Sequence, residues 1–275
     1  MPGFAWIERP VTTRTAGFFL IVALLMPAAG GAQEPAPQGP SFPRLMLIDL
    51  RDVVGAPLSW RGRQWGLFSL AVAGVGAASL LDDQVRDREQ HDHSHLADQI
   101  ADDFEPLGSY GAFGVLGSFY LAGLVRHDPR ARSVAEDGLA ASLIAGGIIT
   151  PALKSALGRR RPRDTDKTFD FSPFSGNSSF PSGHATEAFA VASVIASRYD
   201  AGWVKGAAYG SAALVGFARI HHQAHFLSDV TAGALIGTAV GRAVVRIDRR
   251  EHARAAVVPF AGPQGQPGLV LSLTF

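Results

Sequence analysis

Long uncharged runs and short polar islands alternate along this chain. Trp65–Leu81 and Leu107–Val125 hold no charged residue. Four more stretches read as helices, by length and by their lack of strand alternation: about Val134–Leu157, a segment after Ser182 ending near Tyr199, Trp203–Ala218 and about Leu227–Ile247. The first two can cross a membrane, with tilt. The later four have shorter uncharged runs, broken by Glu187, Lys205 or Arg242, and buried helices of a soluble bundle have the same pattern. No repeat of fixed period is present. After Arg254 the pattern becomes that of two short strands, Ala255–Phe260 and Leu269–Phe275, around a Gly/Pro-rich turn, Gly262–Gly268. The expected architecture is all-α, a six-helix bundle with a short C-terminal β-hairpin laid against it.

The N-terminus reads as an export signal. Arg9 and Arg14 precede an apolar stretch, Ala16–Met26, and Gly30-Gly31-Ala32 offers a cleavage site before Gln33. An uncleaved anchor extended through Ala29 is the competing reading. Residues 33–43 form a Pro-rich linker. The expected division is therefore a signal or anchor at 1–32, a linker or periplasmic segment at 33–64, a helical domain at 65–250 and a hairpin tail at 251–275. Nine acids crowd residues 82–105, whereas arginines flank the chain at 126, 130, 132 and 249–250. This asymmetry places the first loop outside, the second inside and the later islands outside. A cleaved signal leaves residue 33 outside, and three full spans from there put Lys154–Pro162 inside instead. Either residues 16–29 do not carry the rest of the chain across, or some of the helices do not span.

Composition narrows the chemistry. The 275 residues include no cysteine, which removes disulfides, zinc ribbons and thiol catalysis together. A net charge of +1 implies no polyanion, so no nucleic-acid partner is expected. Within residues 82–105 the histidine-rich run 91–95 reads as part of a solvated acidic loop in preference to a metal site.

Three polar islands carry the chemistry. Lys154–Pro162, "KSALGRRRP", gathers four cations where Gly158 and Pro162 end a helix. It is a basic helix cap or an oxyanion pocket, and alone it favours neither. Phe180–Ala190, "FPSGHATEAFA", sets Ser182 as an N-cap and Gly183 where a ligand approaches the backbone. The free amides of that helix start would hold an oxyanion beside His184. The plainer reading is a capped helix with a surface histidine. The third island, 219–229, reads "RIHHQAHFLSD". His225 and Asp229 stand four apart, so on a helix the carboxylate can take the Nδ1–H and aim Nε2 outward, as for a nucleophile or base. His221 and His222 read as polar residues near a site mouth. His221, His225 and Asp229 can also be arranged as metal ligands, but Lys154, Arg161 and Arg219 repel a divalent ion and favour a phosphate. If the islands meet, oxyanion binding wins and no metal is expected.

In this order the islands resemble the phosphatidic acid phosphatase type 2/vanadium haloperoxidase superfamily. Its pattern is K-x6-R-P, P-S-G-H and S-R-x5-H-x3-D, matched here as Lys154…Arg161-Pro162, Pro181-Ser182-Gly183-His184 and Arg219…His225…Asp229. Ala218 replaces the usual serine. The resemblance implies a helical bundle with a site at one end and phosphoryl transfer without metal or cofactor. His225 would be the nucleophile, Asp229 would orient it, and His184 would protonate the leaving oxygen. Lys154, Arg161, Arg219, Ser182 and the Gly183 amide would hold the phosphate. A phosphorylated lipid or small phosphoester is the implied substrate, at the periplasmic side of the inner membrane or in the periplasm. A vanadate-dependent haloperoxidase and a non-catalytic envelope protein that binds phosphorylated lipid are the alternatives.

Overall fold

The computed structural model describes residues 40–91, 94–254, 257–261 and 267–271. The expected export signal lies outside them, as does His93 of the histidine-rich run. Ten α-helices occur among the described residues. They are α1 (Phe42–Gly55), α2 (Gly62–Ser79), α3 (Asp82–His91), α4 (His95–Phe104), α5 (Tyr110–Val125), α6 (Pro129–Ser142), α7 (Thr150–Leu157), α8 (Gly183–Arg198), α9 (Gly202–His221) and α10 (Leu227–Arg254).

The helical content is divided more finely than the six stretches expected. The Val134–Leu157 stretch is one case: α6 passes through a π-helical turn, Leu143–Ile149, into α7. Pro151 has no N–H to give to the Gly147 carbonyl, which favours a local change of winding. Helix α1 falls in the expected linker and buries Leu45 and Asp49. The acidic segment is a correction of the same kind. It is not a solvated loop but two helices, α3 and α4. Ser94 caps α4 by accepting the Ala97 amide at 3.2 Å, and Asp82, Asp83 and Asp98 sit in first turns, where the helix dipole favours negative charge.

Helix α8 lies at the centre, packed against α6, α9 and α10. Val134, Ala141, Ile144, Val194, Val204 and Val244 are among the fully buried residues of this core. Helix α10 packs closely on α8 at Gly237, where a Cβ would stand 2.2 Å from the Thr186 carbonyl oxygen. This close approach aligns the starts of the two helices. Ser182 accordingly donates its amide to the Asp229 carbonyl at 3.0 Å. At the opposite end of α8, Arg198 bridges Asp137 of α6 and Asp248 of α10.

Pro129–Leu157 and Leu227–Ala253 are long and apolar enough to cross a membrane, by length and composition. Two bent pairs, Gly62–Ser79 with Asp82–Gln90 and His95–Gly108 with Tyr110–Val125, raise that number to four if each pair is one span. Leu67, Phe68 and Leu70 on α2 and Phe113, Leu121 and Leu124 on α5 face outward. An apolar outer surface on helices of this length points to a membrane protein. At the C-terminus Val257–Ala261 pairs antiparallel with Pro267–Leu271, Val257 opposite Leu271. Most of the expected turn, and the last residues of the second expected strand, lie outside the described residues.

Candidate active site

The three islands meet where α8 and α10 begin. Helix α7 ends at Gly158, which takes a left-handed backbone (φ 59°) and gives its amide to the Lys154 carbonyl at 2.8 Å. A side chain there would overlap the Ser172 carbonyl. The chain then runs extended and bridges Arg159 to Phe171. Alternation along this segment turns Arg159 and Arg161 inward and leaves Arg160 exposed beside Asp170. Lys154 Nζ donates to the Ser178 carbonyl, and Arg161 Nη2 to the Ser178 hydroxyl at 3.2 Å. Both cations therefore reach the loop that leads into α8. A Cβ on Gly183 would lie 3.9 Å from Lys154 Cε, so the lysine borders the space over that glycine.

Ser182 is the N-cap of α8, its hydroxyl accepting the Ala185 amide at 3.4 Å. His184 follows in the first turn. Burial pushes its pKa down to about 4, and Lys154 and Arg161 push in the same direction. His225 is 3 % exposed and lies between α9 and α10. Burial pushes its pKa down to about 4 as well, against the opposing pull of Asp229 and with help from Lys154 and Arg219. Both imidazoles are thus neutral at pH 7, and a neutral His225 is the form that can act as a nucleophile.

Asp229 departs from the expected pattern in detail. Its Oδ2 stands 3.7 Å from His225 Nδ1, beyond hydrogen-bond length. The carboxylate is already engaged. Oδ2 accepts from the Ser179 hydroxyl and from the Phe226 amide at 2.9 Å, and Oδ1 accepts from Arg159 Nη1 at 2.6 Å. Arg219, near the end of α9, is buried and gives Nη1 to Glu105. Burial pushes its pKa down to about 10, so it stays charged at neutral pH.

His221 and His222 are not loose residues at a site mouth. His221 is 3 % exposed and stacks on Phe217. Its Nδ1 meets Glu89 of α3 at 2.8 Å and its Nε2 meets Asp98 of α4 at 2.7 Å. His222 Nδ1 meets Glu105 at 2.6 Å. These contacts strap the acidic helices across the end of α9. Among the described residues no group of three or more His, Cys, Asp or Glu is arranged to hold a metal ion.

An apolar cavity of about 480 Å³ opens between α5, α8 and α9. Leu107, Val115, Ala188, Val191, Trp203 and Val215 are among its lining residues. Gly108 stands between it and the site: a Cβ there would meet His184 Cβ at 2.6 Å and Val215 Cγ1, part of the cavity wall, at 2.7 Å.

Sequence reasoning missed Arg159, Asp82, Ser179 and Glu105 as parts of this site. The inward alternation of Arg159 and Arg161 after the helix-ending Gly158 was the available signal for the first.

Comparison with known proteins agrees with the motif reading. Residues 138–253 match the model of the PAP2 superfamily, and this stretch carries all three islands. A lipid A 1-phosphatase of Rhizobium johnstonii is 36% identical over 104 residues, covering 35% of this chain and 41% of that protein. One from Porphyromonas gingivalis is 34% identical over 112 residues, covering 40% of this chain and 22% of that protein. The chain thus spans under half the length of these curated relatives. Among solved structures, Aquifex aeolicus LpxE aligns with a TM-score of 0.47 and 26% identity, covering 59% of this chain and 93% of that one. The transmembrane PAP2-type phosphatidylglycerolphosphate phosphatase of Bacillus subtilis aligns with a TM-score of 0.41 and 18% identity, covering 76% and 96%.

Proposed function

With residues 138–253 a segment of the PAP2 superfamily, we propose that the protein is a metal-independent phosphatase. It removes a phosphomonoester or diphosphate group from a lipid through a phosphohistidine on His225. One observation carries this reading. Lys154, Arg161 and the start of α8 converge with Arg219 on two neutral histidines, and an apolar cavity lies across Gly108 from His184.

The cations and the free amides of α8 hold the phosphoryl oxygens and offset the charge that develops on them. The Nε2 lone pair of His225 forms the N–P bond as the P–O bond to the lipid breaks. The electron pair stays on the lipid oxygen, which takes a proton from His184. A water then attacks phosphorus and gives its proton back to His184, and the N–P electrons return to Nε2. His184 by itself is neutral at pH 7 because burial, Lys154 and Arg161 disfavour its charge. A bound phosphate dianion offsets the two cations and restores the proton that the first step needs.

The cavity suits an acyl chain of the substrate. Its relatives make the 1-phosphate of lipid A the first substrate to try. The site then works on the periplasmic side of the cell envelope, which requires that residues 16–29 do not carry the chain across or that some of the later helices do not span. The test is phosphate release by the full chain in detergent micelles, with lipid A 1-phosphate, phosphatidylglycerol phosphate and p-nitrophenyl phosphate in parallel. Release from a lipid together with acid-labile phosphate on the protein, absent in His225→Ala, is expected. No release from any of the three, or a phosphoenzyme that persists in His225→Ala, overturns the proposal.

A further inference from the structure

Arg159 differs from the other cations of the site. It is 2 % exposed, and its guanidinium stacks 4.1 Å over the Phe226 ring. Guanidinium has five N–H donors, and here each has an acceptor. Nε and one hydrogen of Nη2 go to the Thr168 carbonyl, at 3.1 and 2.6 Å. Nη1 serves Ser228 Oγ at 2.8 Å and Asp229 Oδ1 at 2.6 Å. The second Nη2 hydrogen goes to Asp82 Oδ2 at 2.9 Å. Nothing remains for a substrate oxygen, so Arg159 is not a phosphate ligand like Lys154 or Arg161.

Its partners are equally committed. Asp82 Oδ1 accepts the Ser228 amide at 2.9 Å, at the start of α10, and Oδ2 accepts the Ser228 hydroxyl. The side chains of Asp82 and Asp229 are both fully buried. A cation thus lies between two buried carboxylates, one from α3 and one directly behind His225. Asp229 stands 3.7 Å from His225 Nδ1 but 2.6 Å from Arg159, so the arginine holds the carboxylate more closely than the histidine does.

We propose that Arg159, itself held by Asp82, is a positioning residue that fixes the Asp229 carboxylate behind His225 and sets the orientation and basicity of the nucleophile. This rests on the reading of His225 as nucleophile. The charged groups around His225 are Asp229, Lys154 and Arg219. Without the Arg159 cation the Asp229 carboxylate is left buried and less compensated, and an imidazolium at His225 becomes its nearest source of positive charge. The acid limb governed by His225 then moves up.

The test compares the full chain with Arg159→Gln, Arg159→Lys and the double variant Arg159→Gln/Asp82→Asn, all in detergent. The double variant removes one charge of each sign, so it remains usable if the single variant does not fold. The readouts are the ¹⁵N-histidine titration of His225, assigned by its loss in His225→Ala, and kcat, KM and inhibition by inorganic phosphate. In Arg159→Gln and the double variant the His225 titration should rise by about one pH unit or more. Turnover should fall on the order of a hundredfold, with phosphate inhibition within about threefold of wild type. Arg159→Lys, which keeps the charge, should titrate like wild type. Phosphate inhibition weakened tenfold with an unchanged titration would make Arg159 a direct ligand and overturn the proposal. An unchanged titration with unchanged turnover would make it a brace of the bundle only, and overturn it too. If the wild-type chain turns over no phosphoester, the proposed function fails, and the His225 titration alone still decides the role of Arg159.

Discussion

The two histidines should fail in different ways, and the reason is on the face of the structure. His184 is buried beside Lys154 and Arg161, and its pKa is pushed down to about 4. At that value roughly one molecule in a thousand carries the proton at pH 7. A general acid at that occupancy contributes little, so the substrate dianion has to raise the pKa on binding. Replacing His184 with alanine removes the donor but leaves His225 and the cations in place. Turnover on an alkyl or lipid phosphate should fall about a hundred- to ten-thousandfold, the usual range for a lost general acid. With p-nitrophenyl phosphate the leaving group departs without full protonation, and the loss should be much smaller. A phosphoenzyme should still be trapped in His184→Ala, whereas His225→Ala should trap none and turn over at background. Steady-state turnover on both substrates, acid-labile phosphate on the protein and binding of phosphate to each variant make up the assay. Equal impairment on both substrates, with fold and phosphate binding intact, would falsify the leaving-group role. A wild-type kcat profile whose controlling ionisation stays near 4 in the complex would refute the claim that substrate restores the proton.

Activity should survive EDTA, because Lys154, Arg161 and Arg219 supply the charge a metal would; loss on chelation and recovery with zinc or magnesium, with the fold unchanged, would reverse that conclusion. For His221, burial lowers the pKa, but the Asp98 and Glu89 carboxylates raise it more, so the net shift is upward. A raised folded-state pKa gives stability that is present below the ordinary value of about 6.5 and is lost as pH rises through the folded value. The difference in melting temperature between wild type and His221→Gln should therefore shrink as pH is raised from 6, and a constant difference would refute the strap. Gly237→Ala should cost about 3 kcal/mol or more, because its Cβ meets the Thr186 carbonyl of α8; a melting temperature within a degree of wild type would refute the close approach. Glu105→Gln should strengthen phosphate inhibition about threefold to tenfold by releasing Arg219, as expected for a partly buried ion pair worth about 1 kcal/mol; weaker inhibition would mean that Glu105 supports the site instead of competing for it.

How much of this was legible in the sequence depended on the range of the interaction. Local signals read well. Gly158 ended its helix, Ser182 capped the next, and the spacing within each island matched a known pattern. Apolar run length gave helices but not their breaks, since the π-helical turn at Leu143–Ile149 and the bend after Ser79 do not alter hydrophobicity. The acidic segment failed for a different reason. Nine acids within residues 82–105 read as a solvated loop, because the partners that make them worth ordering lie more than a hundred positions away in several cases. His221 meets Glu89 and Asp98 across 132 and 123 residues, and Arg219 meets Glu105 across 114. In the sequence Arg159 is one of four neighbouring cations, and only the extended backbone after Gly158 separates its role from theirs.

Taken together, the partners of the four basic side chains divide the work of the site. Burying charge is costly unless each ion is paired. Arg159 is saturated by two carboxylates and neutral acceptors, so it is fixed whether or not a ligand is bound. Arg219 is held by Glu105, which also meets His222, so a ligand can take the arginine while the glutamate keeps a partner. Lys154 and Arg161 bond only to the neutral carbonyl and hydroxyl of Ser178 among the described residues. These two cations are therefore where an incoming dianion gains most and displaces least. They flank Gly183 and depress the His184 pKa, so the charge that draws the phosphate in is the same charge that keeps the general acid unprotonated until the phosphate arrives.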